Sequence, residues 1–224
     1  MQISSDTHEP RWHAALAVVA ALLLYVTLPP RVVIGPYWLL PALILVILVP
    51  LLILSPRRHK EAKWQRIASI VHIALLGIFN IATIVLLFVW QLSVHHHRQI
   101  SGEELLRAGA EIWLTNVIVY GLWFWELDAG GPDARAHSAF EREPQRFDFL
   151  FPQMTAQPEI RARLNWKPRF LDYLFLSFTN ATAFSPTDTM PLSRKAKVLM
   201  MAESLKSLVT IALIAGRAVN ILGS

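Results

Sequence analysis

Five runs of mostly apolar residues, Trp12 to Leu28, Tyr37 to Leu54, Ile67 to Leu92, Ala108 to Leu127 and Ala196 to Leu222, limit what this 224-residue chain can fold into. About 20 apolar residues cross the roughly 30 Å of hydrocarbon in a bilayer, and only helices and closed barrels satisfy their backbone there. Hydrophobic residues make up 54 % of the chain and charged residues 17 %, where a soluble domain carries about 25 % charged residues. Mean hydropathy is +0.41. The expected fold class is an all-α membrane protein with about five transmembrane helices. The opening MQISSDTHEPRW lacks the basic n-region and small-residue cleavage site of a signal peptide, so the run from Trp12 is expected to be a retained span.

The first two runs form a hairpin. Their connection, Pro29 to Pro36, is short and punctuated by helix breakers. Pro41 and Pro50 sit near the ends of the second run, where a missing N–H disturbs a helix least. Trp12, Tyr37, Trp38, Trp64, Trp90, Trp113, Trp123 and Trp125 lie close to the proposed helix ends, as interfacial aromatic belts require. Between the fourth and fifth runs lies the one extended polar region, Asp128 to Arg169. Its FDFLF cluster, Phe147 to Phe151, suggests packing onto the membrane surface or a neighbouring subunit, the alternative being a partly ordered interfacial segment.

A short aromatic segment from Phe170, a polar Thr/Ser/Asn/Asp stretch and the last apolar run follow in that order. Irregular polar backbone beside a membrane helix is tolerable only where it is buried in protein or lines a water-filled cavity. The order predicts a re-entrant pore helix and loop before the last helix.

From Tyr173 onward, YLFLSFTNATAFSPTDTMPLS resembles the pore loop of the potassium-channel-like superfamily. There a pore helix rich in Tyr, Phe and Ser leads into T-x-x-T-x-G-Y-G-D, followed by two residues, Pro and a polar residue. Thr179 and Thr182 match the threonines, Asp188 the aspartate and Pro191 the proline. The filter glycines are absent: Ala183, Phe184, Ser185, Pro186 and Thr187 stand in their place with one extra residue. The resemblance covers about 50 of the 224 residues. The chain is also similar over a longer stretch to a family of bacterial polytopic membrane proteins that carry an SFTNATAFSPTDTMP segment, a likeness that supplies no function. The channel resemblance implies a homotetramer. It also implies a division into a peripheral three-helix region, 1–107, and a pore-type module, 108–224, with outer helix 108–127, polar loop 128–169, pore helix and loop 170–194 and inner helix 195–222.

A potassium filter aims successive backbone carbonyls at one axis, and its glycines supply conformations that other residues rarely adopt. Phe184 and Pro186 do not reproduce that ladder, because Pro186 fixes its own φ and restricts Ser185. Conventional potassium selectivity is therefore not expected. Hydroxyls of Thr179, Thr182, Ser185 and Thr187 would replace water ligands of a monovalent cation, and Asp188, repeated by symmetry, would form an acidic ring. The alternative is that these hydroxyls cap the pore helix and no ion passes. Glu203 and Lys206 lie at i, i+3 on the last helix, close enough to pair. They are read as pore-supporting, an anchor for the loop or a charge on the pore wall, against a purely structural ion pair. Asn80 and Thr83 are expected to make interhelical hydrogen bonds. No regular arginine stripe of a voltage sensor occurs.

With five spans, sixteen Lys and Arg residues fall on one side of the membrane and three, Arg31, Arg98 and Arg107, on the other. That bias marks the cytoplasmic side. It predicts a multi-pass protein with a cytoplasmic N-terminus, the resemblance to the bacterial family implies the bacterial inner membrane, and the basic flanks suit anionic lipid headgroups better than nucleic acid. His95, His96 and His97 are consecutive and lack the spacing of a metal site. The sequence has no cysteine, P-loop or recognisable Ser/His/Asp set, so no enzyme activity, cofactor or metal is expected. A cation channel, a non-conducting scaffold with a channel-derived fold and a transporter remain as function classes. A transporter would tend to show paired broken helices and internal repeats, and no repeat is present.

Overall fold

The computed structural model describes residues 11–54, 63–92, 102–136, 146–157, 159–160, 163, 166–182 and 188–222. Its α-helices are α1 (Trp12–Thr27), α2 (Leu39–Leu54), α3 (Lys63–Leu92), α4 (Gly102–Leu127), α5 (Pro132–Ala136), α6 (Phe170–Thr182) and α7 (Arg194–Leu222). A two-residue strand β1 (Phe149–Leu150) pairs antiparallel with β2 (Met190–Pro191), Phe149 opposite Pro191 and Leu150 opposite Met190. The chain is mostly helical, as its apolar runs require.

Helix boundaries follow the breakers. α1 stops before Pro29, where Leu28 turns to extended backbone, the conformation favoured before proline. α4 opens with Glu103 and Glu104 in its first turn, where carboxylates favour the positive end of the helix dipole. It ends where Ala129, Gly130 and Gly131 take φ of 52°, 86° and 101°. That turn reverses the chain and brings Arg135 back beneath the end of α4.

Two helices among the described residues are long and apolar enough to cross a bilayer, over Arg66–Trp90 in α3 and Arg194–Gly216 in α7. Two of the five spans read from the sequence thus meet this test of length and composition among the described residues, and five are not supported by it. α1 and α2 are 16 residues each, shorter than the roughly 20 that a bilayer demands. α4 is long, but it holds Glu111 and Asn116 and most of its residues are buried. It is the central helix, packed by α1, α3, α6 and α7, so its composition answers to protein neighbours on several sides. α7 is the opposite case: only 17 % of its apolar window is buried, leaving Val198, Met201, Leu205 and Leu208 exposed.

Contacts along α4 give the helix directions. Arg11, just before α1, lies over the Trp125 ring at 5.6 Å, and Arg66 of α3 approaches Gly131. α1 and α3 therefore begin at the end where α4 finishes. At the other end Arg31 lies over Trp90 of α3 at 5.7 Å.

The FDFLF cluster is placed differently from the expectation. Phe147, Phe149 and Phe151 are buried within the chain itself. Phe149 meets Phe124 edge-on at 5.1 Å and Phe151 meets Tyr173 at 5.3 Å. The polar loop folds back over the end of α4 because these rings find apolar cover there, between α4 and α6. His95 to His97 lie outside the described residues.

Candidate functional site

α6 is antiparallel to α4 and begins beside its last turn. Trp125 stacks edge-on to Phe170 at 6.0 Å, a Cβ at Gly121 would meet the Leu174 backbone at 3.2 Å, and Ser177 reaches the Val117 carbonyl at 2.7 Å. Trp113, further down α4, meets Phe178 at 5.6 Å. Thirteen residues thus carry α6 to about the middle of α4. By Met190 the chain is back, paired with β1, and the Leu192 N–H donates to the Asp148 carbonyl at 2.8 Å. Only then does α7 run down α4, placing Glu203 and Ser207 beside Asn116 and Ile214 against Gly109. Phe170, at the start of α6, and Met190, just before α7, therefore lie at the same end of the central helix.

Two buried carboxylates hold α6. At its start, fully buried Asp128 accepts the Tyr173 hydroxyl at 2.5 Å. It also accepts the backbone N–H groups of Asp148 at 2.7 Å and Phe149 at 3.3 Å. Arg135 donates to the carbonyls of Trp125 and Asp128, each at 2.9 Å, and lies 4.9 Å over the Tyr173 ring. Burial raises the Asp128 carboxyl above its ordinary range, while Tyr173, Arg135 and the Asp148 N–H pull it down. Asp128 thus joins the end of α4, the strand β1 and the helix α6. Asp172 closes the first turn, accepting the Arg169 N–H at 2.7 Å, half of a capping box.

Deeper down, Glu203 of α7 is also fully buried. Asn180 donates to its Oε2 at 2.7 Å, and the Ser177 hydroxyl bridges its Oε1 and the Val117 carbonyl. Asn180 reaches the Met200 carbonyl at 2.9 Å as well, while Ser204 donates to the Asn180 carbonyl at 3.3 Å. Asn116 of α4 donates to Ser207 at 3.0 Å. A buried carboxylate is costly unless its lone pairs are occupied; here donors on α6 occupy them, which fixes the depth of α6 against α7.

The residues picked out in the sequence fall into three groups. Glu203 takes part in the anchor just described. Lys206 does not complete an ion pair with it among the described residues; its ammonium lies 5.1 Å over the Tyr120 ring of α4, because α6 has taken the carboxylate. Thr179 donates to the carbonyls of Phe175 and Leu176, each at 3.0 Å, and Thr182 to the Thr179 carbonyl at 2.8 Å, so both hydroxyl hydrogens serve their own helix. Asp188 is exposed. Phe184, Ser185, Pro186 and Thr187 lie outside the described residues. Asn80 donates across to the Ile112 carbonyl at 3.1 Å, whereas Thr83 bonds within α3 to Phe79 at 2.8 Å.

Among the contributors that escape the sequence reading are Tyr173, Ser177, Asn180 and Gly121. A signal was present for three of them. Tyr173, Ser177 and Asn180 fall at i, i+4 and i+7, a polar stripe on one helix face, with Leu171, Phe175 and Phe178 exposed on the other. No family model, no curated protein and no solved structure matches the chain.

Proposed function

We propose that this chain is one subunit of a homo-oligomeric pore-loop protein of the bacterial inner membrane that passes monovalent cations without conventional potassium selectivity. The observation that carries this reading is the path of the chain beside α4: α6 enters to mid-depth, and Met190 is back at the starting end. In this reading α6 is the pore helix, α4 the outer helix and α7 the inner helix. α1 and α2 also cross, helped by apolar flanks and local bilayer thinning, which offsets hydrophobic mismatch at modest cost. The Lys/Arg bias puts the N-terminus in the cytoplasm, and the same basic flanks face anionic lipid.

One re-entrant loop cannot enclose a pore, so several copies must meet, four by analogy with the superfamily, and closed rings are the usual form of homo-oligomers. Thr179, Thr182, Ser185 and Thr187 would then ring the axis with oxygen, and Asp188 would supply an acidic ring that favours cations. Glu203 supports the pore by holding α6, and Lys206 by its contact with Tyr120.

A second reading, a non-conducting scaffold of channel-derived fold, is favoured by the hydroxyl hydrogens of Thr179 and Thr182, which serve helix carbonyls. A transporter receives less support, since α6 is the single half-depth helix among the described residues. Ion flux into liposomes separates the readings, with wild type compared to Asp188→Asn and Thr182→Ala under potassium, sodium and chloride gradients. Cation flux lowered by both substitutions is the expected result. No flux in any gradient from an intact oligomer would leave the scaffold.

A further inference from the structure

Away from α6, residues of α1 to α4 line a small, mostly apolar cavity to which four polar side chains contribute. Asn80 of α3 donates one amide N–H to the Ile112 carbonyl at 3.1 Å, while its Oδ1 is buried and has no partner in the protein. The Tyr25 hydroxyl of α1 is likewise buried and unpartnered, and both residues are 4 % exposed. Both line one cavity of about 10 Å³, together with Thr83 and Thr115. These two threonines have committed their hydrogens to Phe79 and Glu111, each at 2.8 Å, which leaves oxygen lone pairs free. The lining thus brings the Tyr25 O–H, as a donor, together with acceptor oxygens of Asn80, Thr83 and Thr115.

We propose that this cavity is the binding site of one structural water molecule, held between Tyr25 and Asn80. The chemistry of the lining selects the ligand. A water needs two to four polar partners and about 10–15 Å³ for its centre, and it can both accept from Tyr25 and donate to Asn80. A metal cation would have no carboxylate among the lining residues to offset its dehydration, and an anion no amine, guanidinium or imidazole. Larger polar molecules exceed the volume. Because Tyr25 lies on α1, Asn80 on α3 and Thr115 on α4, the water fastens the peripheral helices to the central one. It is also what makes two otherwise orphaned polar side chains tolerable in an apolar interior.

The test is an experimental structure of the full chain, in detergent or lipid, at a resolution that shows ordered solvent. A density peak within about 3 Å of both Tyr25 Oη and Asn80 Oδ1 is expected, and the same peak is lost or displaced in Tyr25→Phe. An empty cavity in the wild type, or a direct Tyr25–Asn80 hydrogen bond, would overturn the assignment. A peak unchanged in Tyr25→Phe would overturn the role of Tyr25 as its donor.

Discussion

A carboxylate accepting a phenol and two backbone amides, as Asp128 does, makes one residue responsible for the meeting of α4, β1 and α6. Burial raises its pKa above the ordinary value near 4, so the folded state holds its proton more tightly than the unfolded chain. The sign follows from linkage: the stabilising contribution is full below about pH 4 and is lost as pH rises through the raised value. Asp128→Asn keeps the shape and one of the two acceptor oxygens but does not titrate. The difference in Tm between wild type and Asp128→Asn, measured in detergent, should therefore move in favour of the wild type as pH falls toward about 4. A difference that moves toward the variant on acidification would show that the hydrogen bonds to the charged form outweigh burial. At this scale the sequence was partly legible. The pairing of Glu203 with Lys206 was a fair inference from i, i+3 spacing, but spacing on one helix does not say that a serine and an asparagine of another helix will take the carboxylate first.

At the scale of elements, α6 lies where it does because α4 presents Gly121 to it. A Cβ at that position would sit 3.2 Å from the Cα and from Cδ1 of Leu174, and the Cα is backbone that cannot swing aside. Gly121→Val should push α6 off α4 and stretch the bonds from Ser177 to Val117 and Glu203. Overpacking of this kind costs about 1–3 kcal/mol, and the loosened buried carboxylate adds to it. Unfolding of Gly121→Val, followed thermally, should show a loss of that size, with Gly77→Ala as the control. At Gly77 a Cβ meets only ordinary contacts, 3.6 Å from Val119 and 3.8 Å from Trp123. Equal losses in the two variants would remove Gly121 as the seat of α6. The existence and order of the long helices, and a short helix before the last one, were legible because apolar length and the polar stretch after Thr179 are local properties. The burial of Phe149 and Phe151 of the polar loop against α4 and α6 was not. It depends on a reversal at Ala129 to Gly131 that carries remote residues onto α4, and no periodicity within the loop announces it. Nor did apolarity reveal that α4 is central, since a helix surrounded by protein can carry Glu111, Asn116 and Glu126 that a lipid-facing helix would not.

For the whole molecule, the question is which apolar surface meets a second copy. Exposure alone does not decide it, because Leu23 on α1 is 65 % exposed and Leu205 on α7 is 62 % exposed, and lipid would cover either. The proposed ring distinguishes them: α7 faces neighbouring subunits across a narrow axis, and α1 lies on the periphery. The absence of cysteine from the sequence makes single-cysteine chemistry clean. Under mild oxidation in liposomes, Leu205→Cys should yield a disulfide-linked dimer, the largest covalent product one thiol per chain allows, while Leu23→Cys stays monomeric on a denaturing gel. The bond requires Cα atoms within about 7 Å of each other, so the product reports close approach of two α7 helices and not mere co-residence in a membrane. Cross-linking at Leu23 but not at Leu205 would place the contact between copies on the peripheral helices and take α7 off the axis. Cross-linking at neither, with the chain inserted, would mean that α6 and α7 face lipid and that a single copy carries the half-depth loop alone.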